Sequence, residues 1–345
     1  MKKIGHIILS FFLIVATNAF NPTPTQALDV SPKLIQDAEV LQDGSIALLY
    51  VQDTQIKLGI YTPETHMFRS STIANGKAAA LAKGQDQSLH VAFISLTDDL
   101  GYTYYHLSSW SAIEYIDSLN FNDVQGILSS PDIAVDTNGK AHITYMDSKG
   151  GYTSGNDYSA YDKDDLMYAT NVSGAFTKTV ISYSHGWFYS PDGWRNLVTA
   201  PPKIALKNNE FRIAVKQYNY DKWSATQYHD HSFVIFAQNP DQNLSNIYRS
   251  STTNNDLGFK LFSLDASSSE VFALYKLNNQ INIAAGTTII DASRQSFTGS
   301  AADLFVTSTD QLYYAAIEAT SLTLYQQGTL KPNIMLPAAI STTHT

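Results

Sequence analysis

One short pattern recurs along the chain, sharpest at Pro131-Asp-Ile-Ala-Val-Asp-Thr-Asn-Gly-Lys-Ala-His-Ile-Thr-Tyr-Met146, then Asp165-Leu-Met-Tyr-Ala-Thr170 and Phe176-Thr-Lys-Thr-Val-Ile181. Each stretch alternates apolar and polar residues and stops at Gly, Asn, Asp or Ser, which is the pattern of antiparallel strands joined by tight turns. One copy makes a four-stranded sheet. A sheet that small cannot bury a face alone, so recurring copies must stack and share cores.

Diverged copies occupy residues 34–73, 78–116, 203–249, 259–297 and 303–335. Together with the sharp copy they make about six units at a spacing of roughly 40 to 70 residues, the range of propeller blades. The expected fold is all-β: a six-bladed β-propeller of four-stranded antiparallel blades, forming one domain over residues 30–338. The fifth copy is blurred by serines near 267–270, and the last ends in a weak strand at 330–335. His90 and His142 hold the same place in the second strand of their copies, where Arg212, Phe272 and Tyr313 stand elsewhere, so they read as packing between copies.

The motif Pro-x-Ile-Ala-x-Asp-x-x-Gly-x-x-His-Ile-x-Tyr-x-Asp followed by Asp-Leu-x-Tyr-Ala resembles the repeats of six-bladed β-propellers in bacterial secreted proteins, near the sialidase-like group. The resemblance covers most of the chain and implies the architecture. The Asp-box of sialidases is absent, with Ser190-Pro-Asp-Gly-Trp194 as its nearest approach. Arg69, Arg195, Arg212, Arg249 and Arg294 show no arrangement matching the arginine trio that holds a sialic acid, so the resemblance does not extend to that activity.

Met1-Lys-Lys3, an apolar run over 7–15 and small residues at Thr17 and Ala19 read as a secretory signal peptide, because the run is too short to span a bilayer. Cleavage is expected after Ala19, which would leave the Pro/Thr-rich stretch 21–26 as a flexible tail, or after Ala27, and residues 339–345 read as a disordered C-terminal tail. The protein is therefore expected to be secreted or periplasmic, without a transmembrane segment in the mature chain, and monomeric. With no cysteine, its sheets alone must hold it together. A formal net charge of −9 argues against a nucleic-acid partner, which would need a basic face for phosphate.

If blade strands are lettered A to D, chain reversal puts A–B and C–D turns on one rim and B–C and D–A connections on the other. Length is concentrated on the second rim, in 147–164, 183–202 and 217–230, which read as neighbouring loops of blades three and four. They carry Tyr158, Trp187, Tyr189, Asp192, Trp194 and Trp223, which with the flanking His231 make the expected ligand-binding set. Aromatic rings beside carboxylates suit sugars, whose C–H faces stack while their hydroxyls hydrogen-bond; the same rings would also pack such loops into compact caps.

His229 and His231 lie two apart, the spacing that brings two imidazoles to one face of a strand, with His185 or Asp192 as the candidate third ligand for a divalent metal; the pair also reads as two rim histidines that stack or hydrogen-bond. The acidic stretch from Asp157 to Asp165 offers oxygen ligands to calcium without a calcium-loop spacing, and also reads as a solvated turn. Three functions fit this inventory. The first is binding of an extracellular glycan at the blade three and four rim. The second is a carbohydrate-active enzyme there: a polysaccharide lyase using His229, His185 or Tyr228 as base with Arg195 on the uronate carboxylate, or a glycoside hydrolase using two of Asp157, Asp192 and Asp221. The third is a scaffold for a surface protein.

Overall fold

The computed structural model describes residues 35–335 apart from short stretches between strands, the longest being 120–129. The leader and tail expected at 1–27 and 339–345 lie outside the described residues. Every regular element among those residues is a strand.

Blade one comprises β1 (Ile35–Val40), β2 (Ile46–Gln52), β3 (Gln55–Thr62) and the first half of β4 (Met67–Lys83). The second half of β4 opens blade two, which continues with β5 (Leu89–Ser95), β6 (Asp99–His106), β7 (Ser109–Trp110) and β8 (Glu114–Ser118). Blade three begins with β9 (Asp132–Val135) and β10 (Ala141–Asp147). A hairpin, β11 (Gly151–Gly155) and β12 (Tyr158–Asp162), then interrupts it before β13 (Asp165–Thr170) and β14 (Thr177–Ser182). A second hairpin, β15 (His185–Tyr189) and β16 (Asp192–Val198), precedes blade four. That blade is β17 (Lys203–Lys207), β18 (Glu210–Trp223), β19 (Thr226–Gln238) and β20 (Leu244–Thr253). Blade five is β21 (Lys260–Ala266), β22 (Val271–Leu277), β23 (Gln280–Gly286) and β24 (Ile290–Thr298). Blade six is β25 (Ala301–Val306), β26 (Leu312–Glu318) and β27 (Ser321–Gln326), with β28 (Thr329–Leu330) and β29 (Ile334–Met335) both pairing β27.

The first strands of the blades stand side by side in chain order, β1 against β4, then β9, β17, β21 and β25. This gives the six-bladed β-propeller that the repeats imply, including a complete four-stranded fifth blade.

The cores lie between blades, because each sheet must cover both faces with its neighbours. Along β4 the side chains alternate. Ala78, Ala80 and Ala82 join Ile94, Leu100, Ile143 and Tyr145 between blades two and three, while Ala79 and Leu81 join Leu49, Ile56 and Phe93 between blades one and two. Alanine fits there because the first strands approach each other closely. A carboxylate straps two of these junctions at equivalent places. Asp37 Oδ2 accepts the Leu81 amide at 2.9 Å and Asp132 Oδ2 accepts the Ile204 amide at 2.7 Å.

The Asp136 to Gly139 turn forms as its sequence demands. Asp136 Oδ1 accepts the amides of Asn138 and Lys140, both at 2.8 Å, and Gly139 supplies the positive φ of 74°.

Both histidines sit in the blade interfaces, each 3% exposed. His90 Nδ1 pairs with Tyr102 Oη at 2.7 Å and His142 Nδ1 with Tyr168 Oη at 2.6 Å, so the repeat extends to side-chain hydrogen bonds. Replacing His142 by Ala would remove one hydrogen bond from a buried phenol and leave a void. It should lower stability by about 1–3 kcal/mol, seen as a lower urea midpoint, and leave ligand affinity unchanged; a stable variant that no longer binds would overturn this role.

Candidate functional site at blades three and four

The three segments that read as rim loops are strands. Both hairpins join the extended β18 and β19 of blade four in one sheet of order β11-β12-β15-β16-β18-β19-β20. Segments separated by tens of residues thus become hydrogen-bonded neighbours, and register decides which of their residues share a face.

One cross-strand row runs Ala160, Trp187, Trp194, Asp221, Tyr228. Strand alternation gives positions on the same face to Tyr158, His185, Tyr189, Asp192 and Trp223. The next row runs Tyr161, Gly186, Arg195, Tyr220, His229, with His231 two residues on and opposite Tyr218. The three tryptophans, Tyr158, Tyr189 and Asp192 therefore occupy one face, and His231, His229 and Arg195 occupy the other.

This division has chemical content. Trp187 and Trp194 are directly opposed, and opposed positions in an antiparallel pair stand about 4.5–5.5 Å apart. Asp192 and Asp221 are diagonal neighbours on that face, about 7–8 Å apart by sheet geometry. His229 and Arg195 share a row with β18 between them, about 10 Å apart. His185 pairs Asn196 and Asp162, so the trio His185, His229 and His231 spans two faces. Of the acidic stretch, Asp157 and Asp164 lie outside the described residues, and Asp165 opens β13 opposite Asp147.

A groove of ≈ 540 Å³ lies on the opposite rim, between blades one and two. Ser45 of the A–B turn, Thr62 of the C–D turn and Arg69 line one side, and Tyr105 and Trp110 of blade two's C–D hairpin line the other. Ser45 Oγ donates to Thr62 Oγ1 at 3.4 Å. Tyr105 and Trp110 are cross-strand partners with ring centroids 5.3 Å apart. Their hairpin closes through Leu107 and Ser108 at φ 47° and 68°, the left-handed pair of a two-residue primed turn. The sequence reading passed over Trp110. An aromatic pair flanking a two-residue turn was the available signal.

No family model matches the chain and no curated protein matches it in sequence. Among solved structures, AofleA from Arthrobotrys oligospora superposes with a TM-score of 0.51 at 10% identity, over 88% of this chain and 87% of that one. A point mutant of the Aleuria aurantia lectin, in complex with Fucα1-6GlcNAc, gives 0.49 at 10% identity over 89% and 96%. A further Aleuria aurantia lectin structure, described as a six-bladed β-propeller with a novel fucose recognition mode, gives 0.45 at 11% over 89% and 93%. At such identities the likeness concerns the fold alone.

Proposed function

We propose that this is a secreted or periplasmic β-propeller, of the kind found in bacterial secreted proteins, that binds an extracellular glycan on the aromatic face of the blade three and four sheet. The observation that carries it is the opposed Trp187 and Trp194 pair, continued by Tyr158, Tyr189 and Trp223 on the same face with Asp192 and Asp221 among them. Aromatic positions in series offer stacking surfaces for successive sugar rings, and carboxylates between them accept hydroxyl hydrogen bonds. A rigid paired sheet also holds those positions in place without the ordering cost of a loop.

A glycan array followed by titration tests it. Trp187→Ala and Trp194→Ala should weaken binding more than about tenfold in at least one case, since an aromatic anchor typically contributes about 2 kcal/mol or more, while the far-UV circular dichroism stays unchanged. Binding with no change in ligand mass supports a lectin. Conversion of the polymer would select the carbohydrate-active enzyme instead, with His229 and Arg195 or the two aspartates to be replaced next. Failure of all glycans alongside capture of a surface protein would overturn the reading.

A further inference from the structure

We infer that the groove between blades one and two is a second binding site, for a saccharide bearing a carboxylate or a sulfate. It uses the other rim and other residues, so it stands or falls independently of the site at blades three and four.

Three features define the ligand. The Tyr105 and Trp110 rings form one wall, the kind of surface on which the C–H face of a sugar ring lies. Hydroxyls of Ser45, Thr62 and Ser71 and the apolar side chains of Leu58, Ile60 and Met67 also line it, so the groove offers both polar and apolar surface. Its volume, ≈ 540 Å³, falls within the usual range for small-ligand pockets, about 300–1,000 Å³.

The decisive group is Arg69. It is exposed, lines the groove, and among the described residues no hydrogen bond or ion pair engages its guanidinium. Its planar fork matches a carboxylate or a sulfate, and such charge-assisted bonds are about twice as strong as neutral ones. The acid in the lining, Asp43, has Oδ1 occupied by the Ser45 amide at 2.9 Å, where it shapes the A–B turn. Neighbouring polar groups are held too, as in the 2.6 Å bond between Tyr50 Oη and Ser70 Oγ.

Calorimetric titration of the full chain with methyl glucuronide, glucose 6-sulfate and neutral methyl glucoside tests the site. At least one anionic sugar should bind about tenfold or more tighter than the neutral one, and the tighter of the two identifies which anion the groove takes. Arg69→Gln, at an exposed position, should abolish that difference without changing the fold. Trp110→Ala should weaken binding of the tighter anionic sugar, with Trp110→Phe restoring part of the affinity. Equal affinity for charged and neutral sugars, no binding at millimolar concentration, or binding unaffected by Arg69→Gln would overturn the inference. Loss of binding in Trp187→Ala alone would also overturn it, by moving the ligand to the other rim.

Discussion

As pH falls from about 6.5 to about 4, stability should drop by about 3 kcal/mol through His90 alone. Burial disfavours the charged imidazole and depresses its folded pKa to about 4, against a partial upward pull from Asp86 and a further downward push from His106. Ser88 Oγ lies 2.8 Å from Nε2, Tyr102 Oη lies 2.7 Å from Nδ1, and the Tyr104 ring stacks over the imidazole. A neutral ring satisfies the two hydroxyls, one as donor and one as acceptor, whereas a protonated ring has only donors.

Between the two pKa values the unfolded chain binds the proton and the folded chain does not, so stability rises with pH across that window. The contribution is complete above about 6.5 and gone below about 4. His142 is depressed for the same main reason, its burial, and adds in the same direction. Asp132 works the other way, because burial raises its carboxyl against the pull of Lys203. Urea midpoints measured across the window should therefore fall steeply on acidification for the native chain and more shallowly for His90→Gln. Parallel curves for the two proteins would refute the assignment.

Phe93→Ala should cost about 3–5 kcal/mol, the range for removing a fully buried aromatic ring. Phe93 is 0% exposed in the core shared by blades one and two, beside Leu49, Ile56 and Val91. Its ring lies over Gly101 on the adjacent strand, where a built Cβ would collide with it, and meets the edge of Tyr115 at 6.4 Å. Gly101→Ala should thus be destabilising alone yet partly compensating in the Phe93→Ala background, where the methyl enters vacated space. Urea denaturation of both single variants and the double one would show this as a favourable coupling. Additive losses would mean that the ring does not occupy the space above Gly101.

The blades were legible where alternation was strong. In β10, residues 141–147 carry the apolar period two, and burial then covers both faces at every position. The weak fifth blade was recoverable because residues 271–275 form an unbroken apolar run, the mark of a strand buried on both faces, despite blurred flanks. The hairpins look like loops in the sequence for a physical reason. His185–Tyr189 places aromatics at consecutive positions, so both faces receive them and no period survives. Their pairing partners also come from other segments, as when Trp194 meets Asp221, which no local window can register. The groove was hidden for a related reason, since its two walls belong to different blades and its cation looked like one of several isolated arginines.

One strand also belongs to two blades. β4 runs from Met67 to Lys83 without a break, closing the first blade and founding the second in a single stroke of backbone. It is hydrogen-bonded to β3 on one part and to β5 on the other. The first two blades are therefore joined by a shared strand rather than by a loop, so a break in the backbone near Gly76 would loosen both sheets at once.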